Sequence, residues 1–267
     1  MTITCETRGR VRIVTINRPE ARNAVNPETA RALFDAFMAF EAEDSLDVAI
    51  LTGAEGHFCA GYDLKSASST EGRSWIEKVT IPEGWSDASA QPIPGPMGPS
   101  RLALSKPVIA AVEGYAVAGG IELAAWCDIR VASESATFGV FCRRWGVPLI
   151  DGGTIRLPRI LGQGRANDLI LTGRPVGAEE ALRMGLADRV VPEGQALEQA
   201  MEIAVALSRF PQGCMRADHA SARPSGPELA SALRREWRSF QTFTDEGAAG
   251  AARFASGKGR GGDFSDI

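Results

Sequence analysis

The chain has 267 residues, of which 44% are hydrophobic and 23% charged, and its formal net charge is −4. The hydrophobic share is enough for a sizeable core and argues against wholesale disorder, and the length fits one large domain or one core with an appendage. The acidic balance argues against a general nucleic-acid binder, which is more often basic.

The N-terminus and the cysteines favour a reducing compartment. The segment MTITCETRGRVRIV lacks the apolar core of a signal peptide, and no apolar run reaches the ~18–20 residues of a membrane span. The five cysteines are odd in number and scattered, without a CxxC pair: Cys5, Cys59, Cys127, Cys142 and Cys214. We therefore expect reduced thiols in a cytoplasmic protein, with no disulfide framework, no metal site and no membrane span.

Strand and helix patterns alternate over roughly the first 190 residues. RVRIVTI at 10–16 is alternating and β-branched, which predicts a strand. Residues 26–44 predict a helix with Asn26 as the N-cap and Pro27 in the first helical position. Buried strands are predicted at 47–53, 107–114 and 127–133. This alternation favours an α/β architecture.

Residues 66–100 are rich in proline and glycine, which predicts a long loop. Such a loop in a compact domain is often a lid or a binding loop, although a surface insertion gives the same pattern. Trp75 and Trp85 favour a loop that folds over something apolar.

The chain after residue 191 is almost wholly helical in pattern, and we expect a helical C-terminal subdomain over 196–267 beside a core over 1–195. The run RREWR at 234–238 predicts a solvated helix face. The glycine-rich tail from Ser256 onward predicts loose order.

The segment EGYAVAGGIELAAWCDI at 113–129 is the first candidate for chemistry. It reads as a strand that ends in small residues, followed by a helix with Glu122 in its first turn. The first N–H groups of a helix have no internal partner and lie at its electropositive end, so they can hold a developing oxyanion while the glutamate moves a proton. Ordinary strand–helix packing with a first-turn glutamate gives the same pattern.

A second strand end, GHFCAGYDLK at 56–65, also presents a glycine before a polar turn. Two such strand ends can hold one carbonyl oxygen between two N–H groups, an arrangement that stabilises an enolate or a tetrahedral oxyanion. Only two histidines and no GxSxG motif are present, so a Ser-His-Asp hydrolase is unsupported.

Several ordered motifs closely resemble the enoyl-CoA hydratase/isomerase family, the crotonase superfamily. They are NRPEARNAVN, AILTG, FCAGYDLK, SKPVIAAVEGYAVAGGIELAAWCDI and LTGRPVGAEEALRMGLADRVVP, and they cover roughly residues 10–195. The resemblance implies a β-β-α spiral core with a helical trimerisation region, and hence a homotrimer or a dimer of trimers. It implies an acyl-CoA thioester as substrate, with coenzyme A as part of that substrate and no separate cofactor.

The resemblance also assigns roles to individual positions. The oxyanion donors become the backbone N–H groups of Tyr62 and Gly119, and Glu122 matches the first of the hydratases' two catalytic glutamates. The positions expected to contact CoA are Arg22, Ala24, Ala60, Asp63, Leu64 and Lys65.

The main departure from the family lies in FGVFCRRWGVPLIDGG at 138–153. Where hydratases have Gln-Pro-Glu after Phe-Gly, this chain has Val-Phe-Cys, so Cys142 replaces the second glutamate. Asp151 lies near the catalytic aspartate of a dienoyl-CoA isomerase branch, but it would equally serve as an N-cap of a following helix. Cys142 is either a reactive thiolate beside two arginines or a buried packing thiol. Phe141, Cys142 and Trp145 are candidates for the wall of an acyl pocket.

The leading functional expectation is an enoyl-CoA hydratase that works through an oxyanion-stabilised enolate. Because the second glutamate is missing, an enoyl-CoA or dienoyl-CoA isomerase, or another enolate-forming reaction, is the enzyme alternative. Glu122 would then act alone or together with Asp151. A family member that binds acyl-CoA or a protein without turnover is the non-enzyme alternative.

Overall fold

The computed structural model of the chain describes residues 1–67, 69–242 and 244–258. In this part of the chain two sheets are surrounded by helices. The strands are β1 (Ile3–Arg8), β2 (Val11–Ile16), β3 (Val48–Gly53), β4 (Val108–Val112), β5 (Tyr115–Val117), β6 (Ile129–Ser133), β7 (Thr137–Gly139), β8 (Val176–Gly177) and β9 (Arg189–Val191). The helices are α1 (Pro27–Ala42), α2 (Leu64–Ala67), α3 (Thr70–Lys78), α4 (Gly119–Trp126), α5 (Gly153–Leu161), α6 (Gln163–Thr172), α7 (Ala178–Met184), α8 (Ala196–Leu207), α9 (Gln212–Ser221), α10 (Gly226–Thr242) and α11 (Thr244–Ala255). Short 3-10 helices occupy Pro19–Ala21, Pro99–Arg101 and Phe141–Trp145.

The larger sheet has the strand order β1-β2-β3-β4-β6-β9. β1 pairs antiparallel with β2, and the remaining neighbours pair parallel. The smaller sheet has the order β5-β7-β8, with β5 parallel to β7 and β8 antiparallel to β7. Only two residues separate the end of β4 from the start of β5, so the smaller sheet follows the carboxyl end of the larger one.

Both faces of the larger sheet are buried, as is typical of parallel sheets. On one face Val11 and Ile13 of β2 pack with a small-residue stripe of α8, formed by Ala196, Ala200 and Ala204. On the other face the alternate residues of β2 pack in the main core, which includes α1. Successive side chains of β2 point to opposite faces of the sheet and therefore belong to two separate cores.

The predicted strands at 10–16, 47–53, 107–114 and 127–133 are all found, and the α/β class is confirmed. The helix predicted at 26–44 is α1. Its N-cap is Asn26, whose Oδ1 accepts a hydrogen bond from the Thr29 N–H at 2.8 Å, with Pro27 in the first helical position.

The expectation of a long loop over 66–100 is wrong for its first part, because α2 and α3 lie within or across it. Ser69 starts α3 by accepting the Gly72 N–H at 3.0 Å, and the prolines begin only at Pro82, after the helix has ended. Trp75 is buried and donates from Nε1 to the Pro96 carbonyl at 3.0 Å. Trp85 is also buried, so the segment folds inward, as its two tryptophans predicted.

The C-terminal third is helical as expected, although α9 was not predicted from the sequence. The division between residues 1–195 and 196–267 stays a prediction, and α8 shares a core with the larger sheet. The loose tail expected from Ser256 lies mostly outside the described residues, which end at Lys258. Among the described helices, none has the length and apolarity needed to cross a membrane.

Candidate active site

The turn between the end of β5 and the start of α4 presents the backbone N–H group of Gly119. Ala118, between them, has φ 52° and ψ −124°, a backbone conformation that costs a non-glycine residue of order 1–3 kcal/mol. Its N–H donates to the Gly139 carbonyl of β7 at 2.8 Å, which anchors the turn to the smaller sheet. Gly119 is the first residue of α4, and no described residue accepts its N–H.

The segment after β3 approaches the same turn. The Cys59 N–H donates to the Tyr115 carbonyl at 2.8 Å, and the Val117 N–H donates to the Cys59 carbonyl at 3.0 Å, so this segment lies beside β5. Gly61 has φ +96°, and a Cβ at this position would lie 2.9 Å from the Gly119 nitrogen. Only glycine fits there. The next N–H, that of Tyr62, likewise has no acceptor among the described residues.

Glu122 is buried, with 3% of its surface exposed, in the first turn of α4. Its Oε1 accepts hydrogen bonds from the backbone N–H groups of Asp151 and Gly153, each at 2.9 Å. Burial raises the pKa of Glu122 well above its ordinary value, and the nearby carboxyl groups of Asp151 and Glu236 raise it further. The remaining oxygen, Oε2, has no partner in the described part of the chain, so it is the atom left for proton transfer.

Asp151 is also buried, but the suggestion that it caps the following helix is wrong. The N-cap of α5 is Gly152, which has no side chain to cap the helix, and the Asp151 carboxyl group makes no bond to the first turn. Gly152 takes φ +91°, and the Asp151 carboxyl group turns away: its Oδ1 accepts the Met97 N–H at 2.9 Å and the Ser100 hydroxyl. Burial raises the pKa of Asp151, while its bonds to Ser100 and Met97 lower it.

The capping role belongs instead to Glu236 of α10, which sequence reasoning missed. Its Oε2 accepts the Gly152 N–H at 2.7 Å, and its Oε1 accepts the Thr154 N–H at 3.0 Å and the Thr154 hydroxyl at 2.7 Å. Glu236 and Trp237 are both buried, which corrects the expectation of a solvated face for the run at 234–238. Glu236 lies three residues after buried Leu233, so a carboxyl group within the apolar stripe of α10 was the available signal.

One buried and one partly buried arginine accompany these three carboxyl groups. Arg156 donates to the Asp151 carbonyl at 2.9 Å and to the Ser100 carbonyl at 2.7 Å. Arg101 is 1% exposed, and its guanidinium lies 4.7 Å from the centre of the Trp237 ring. Burial lowers the pKa of Arg101 to about 10, so it remains a cation at neutral pH. Two cations therefore face three carboxyl groups, an arrangement that favours one retained proton.

Cys142, which replaces the second glutamate of the family pattern, is a buried thiol. Burial raises its pKa to about 12, and the charge of Glu122 adds to the shift, so the thiol stays protonated. Burial and the raised pKa favour the packing thiol over the reactive thiolate. Phe141 is partly buried with the Arg144 guanidinium 4.0 Å from its ring centre. Trp145 packs edge-to-face on Phe254 of α11 at 5.3 Å between ring centres.

The two segments expected to contact CoA lie side by side. The Ala60 N–H donates to the Arg22 carbonyl at 3.0 Å, and the Asp63 N–H donates to the Val25 carbonyl at 2.8 Å. Ala24 is buried, Leu64 begins α2, and Arg22 and Lys65 are exposed. Asp63 is held by an ion pair with Arg18 at 3.0 Å. The structure thus brings all six positions together, and their contact with CoA stays a prediction.

A metal site has no support in residues 1–67, 69–242 and 244–258, where no group of three or more His, Cys, Asp and Glu side chains is placed to hold an ion.

The family described as enoyl-CoA hydratase/isomerase matches residues 6–258. Enoyl-CoA hydratase EchA19 of Mycobacterium tuberculosis is 44% identical over 210 residues, which cover 76% of this chain and 73% of that protein. A probable enoyl-CoA hydratase of Rhizobium meliloti is 38% identical over 261 residues, which cover 96% of this chain and 95% of the relative.

Solved structures give the same result. A carnitinyl-CoA hydratase from Mycobacterium avium matches with a TM-score of 0.81 and 31% identity, over 96% of this chain and 95% of that chain. The expected crotonase-type fold is therefore confirmed. This chain belongs to the enoyl-CoA hydratase/isomerase family of enzymes.

Proposed function

We propose that the protein is an enoyl-CoA hydratase, which adds water to a 2-enoyl-CoA to give a 3-hydroxyacyl-CoA. The observation that carries this proposal is the position of Glu122, buried one turn into α4 behind the unpaired N–H of Gly119. Relatives named as hydratases, at 44% and 38% identity, support it.

The unpaired N–H groups of Tyr62 and Gly119 are the proposed oxyanion donors. A thioester oxygen between them would accept two hydrogen bonds, and these strengthen as the oxygen gains charge. Removal of one such donor in other enzymes costs on the order of 10²–10³ in turnover, which sets the scale of their contribution.

The proton balance of the reaction needs only one carboxyl group. Glu122 as carboxylate takes a proton from water, the water oxygen bonds to Cβ, and the electron pair of the double bond moves to the thioester oxygen. The enolate then returns this pair to Cα, which takes the proton from Glu122 and leaves the carboxylate restored. A raised carboxyl pKa suits both steps, since the group must accept and return the same proton.

Asp151 is the proposed second titratable group of the site, since Cys142 is too weak an acid to replace the missing glutamate. Its pKa is also raised by burial, so it can hold a proton near Glu122. Acid–base chemistry of this kind needs no cofactor beyond the CoA portion of the substrate. Arg22 and Lys65 are exposed cations, and their charge supports the proposal that they contact the CoA phosphates.

We also propose a homotrimer, alone or as a dimer of trimers, in the cytoplasm. Among the described residues, four large apolar side chains outside β5 and the N-terminus are exposed, as is common at subunit contacts: Leu171, Leu182, Val205 and Phe210. The free thiols suit a reducing compartment.

A panel of 2-enoyl-CoA esters with different acyl groups, followed by mass spectrometry, tests the reaction. Hydration adds the mass of one water to the ester and supports the proposal. An unchanged mass with a moved double bond, or release of free CoA, would replace it with isomerisation or thioester hydrolysis.

A further inference from the structure

The turn formed by residues 151–154 is held by two buried carboxyl groups from different helices. Glu122 of α4 accepts the N–H groups of Asp151 and Gly153, and Glu236 of α10 accepts those of Gly152 and Thr154. We propose that Glu236 is a positioning residue for catalysis, which acts on Glu122 through this turn. The proposal rests on the proposed function of the site, in which Glu122 transfers the proton.

The alternation of the two partners makes the turn rigid. Successive N–H groups point to opposite sides, towards Glu122 and towards Glu236, so neither side of the turn can rotate without breaking a bond to one carboxyl group. Because both bonds to Glu122 use Oε1, the turn sets where Oε2 points. A displacement of about 1 Å at a catalytic group can cost on the order of 10²-fold in rate, so the anchor at Glu236 has a direct kinetic consequence.

Helix capping alone does not account for Glu236. The carboxyl group reaches the N-terminus of α5 from 84 residues away along the chain, and it is 5% exposed. Burial of this carboxyl group carries a large desolvation cost, and one of its bonds goes to the Gly152 N–H, which lies outside α5. The remote group instead ties α10 to the turn that holds Glu122.

Charge is the second way in which Glu236 acts on Glu122. The titratable groups that influence Glu122 are Asp151 from the turn, Glu236 from α10, Cys142 from the 3-10 helix and Arg156 from α5. Of these, the carboxylates raise the pKa of Glu122, and Arg156 opposes them. A neutral amide at position 236 removes one of the raising charges, so Glu122 would ionise at lower pH.

The test is Glu236→Gln, studied alone and combined with Glu122→Gln. The amide keeps one oxygen acceptor but turns its NH₂ towards one of the N–H donors, so the turn is loosened. We expect turnover to fall on the order of 10–100-fold with little change in KM, and the acidic limb of the pH–rate profile to move to lower pH. In the Glu122→Gln background the same substitution should cost less than about twofold, since residues that act through one another are not additive.

The matched control is Glu228→Gln, in the first turn of the same helix but exposed and bonded to Ser225, the residue before that helix. This variant should keep wild-type turnover and pH profile. Equal losses from Glu236→Gln in both backgrounds, with an unmoved pH limb, would overturn the proposal and leave a purely structural role.

A second variant and a second readout keep the proposal testable if Glu236→Gln does not fold or the enzyme does not hydrate the ester. If circular dichroism shows that Glu236→Gln does not fold, Thr154→Val is the second variant, because it removes only the hydroxyl donor to Glu236. It should give a smaller, several-fold loss of turnover, and this loss should again be smaller in the Glu122→Gln background.

Exchange of the α-protons of a saturated acyl-CoA in D₂O measures proton transfer without hydration. A wild-type enzyme that exchanges but does not hydrate refutes the proposed function while Glu236 is still tested; one that does neither refutes both.

Discussion

The backbone N–H of Asp151 donates to Oε1 of Glu122 at 2.9 Å, while the Asp151 carboxyl group turns the other way, to the Met97 N–H and the Ser100 hydroxyl. Met97 in turn lies against the proposed oxyanion donor, because a Cβ on Gly119 would lie 2.7 Å from the Met97 sulfur. Asp151 therefore connects the acid–base group to the oxyanion turn through its backbone and its side chain.

The first prediction concerns Glu122 as the principal acid–base group. Glu122→Gln keeps a carbonyl oxygen that can accept both N–H groups of the turn but removes the titrating proton. We expect turnover of a 2-enoyl-CoA to fall on the order of 10²–10⁴-fold, the usual weight of general acid–base catalysis. Steady-state hydration assays on protein of native circular dichroism measure this, and near-wild-type turnover would contradict the assignment.

The second prediction concerns stability and pH. Because the pKa of Glu122 is raised in the folded state above the ordinary 4.5, the folded protein holds this proton after the unfolded chain has lost it. The stability present below pH 4.5 is therefore lost as pH rises towards the folded pKa, at up to about 1.4 kcal/mol per pH unit. Glu122→Gln removes the titration, so its melting temperature should rise relative to wild type between about pH 5 and 8 and approach it near pH 4.

The matched control for this pH series is again Glu228→Gln. Its bonds to Ser225 lower the pKa of Glu228, so the wild-type residue contributes stability above its unfolded pKa, and that contribution disappears in acid. The control should therefore show the opposite sign to Glu122→Gln. Thermal melts at fixed protein concentration measure both, and a Glu122→Gln protein that is less stable than wild type at pH 8 would refute the second prediction.

The third prediction separates Asp151 from Cys142. Asp151→Asn keeps an oxygen that can accept the Met97 N–H and the Ser100 hydroxyl. The substitution therefore removes the titrating group and largely preserves the geometry of the turn. We expect at least about a tenfold loss of turnover if the carboxyl group transfers protons. Cys142→Ser should keep turnover within about threefold, since the wild-type thiol is already protonated, and should lose about 1 kcal/mol of stability through a buried hydroxyl. The reverse pattern in hydration assays would show that the two roles are exchanged.

The sequence predicted the parts of this site that depend on local pattern. Glu122 could be placed in the first turn of α4 because a glycine pair ends the preceding apolar strand, and the cap at Asn26 followed from Asn-Pro before a periodic helix. The resemblance to a known family supplied Tyr62 and the CoA segments, which periodicity alone does not mark.

The parts that failed depend on contacts between distant segments. Asp151 and Gly152 look like a local cap, but the positive φ of Gly152 turns the side chain away, and a glutamate from 84 residues further on takes its place. No local rule connects Glu236 with residue 152. Helix α3 differs from the prediction for another reason. The prolines that indicate a loop begin only at Pro82, so they give no information on the residues from 66 to 78.

The fourth prediction concerns assembly. The family resemblance implies a homotrimer or a dimer of trimers, and the exposed apolar side chains of α6, α7 and α8 suit a subunit contact. Sedimentation velocity at micromolar concentration should give a mass of three or six times 28.4 kDa. Replacement of Leu171, which is 73% exposed, by aspartate should shift the distribution towards smaller species if α6 lies in the contact. A stable wild-type monomer would contradict the prediction.

The last prediction concerns the strained turn before α4. Ala118 holds φ 52° and ψ −124°, a conformation natural to glycine, at a cost of about 1–3 kcal/mol. Ala118→Gly removes this strain and gives back about 0.4–1 kcal/mol through the greater freedom of the unfolded chain, so the net effect should be a gain of about 1 kcal/mol. The bond from the residue 118 N–H to Gly139 remains, so Gly119 should keep its place and turnover should survive. Ala32→Gly, in the middle of α1 with ordinary helical geometry, is the control and should lose about 1 kcal/mol. Unfolding of both variants at one protein concentration gives the comparison, and two losses of equal size would show that the turn at Ala118 stores no strain.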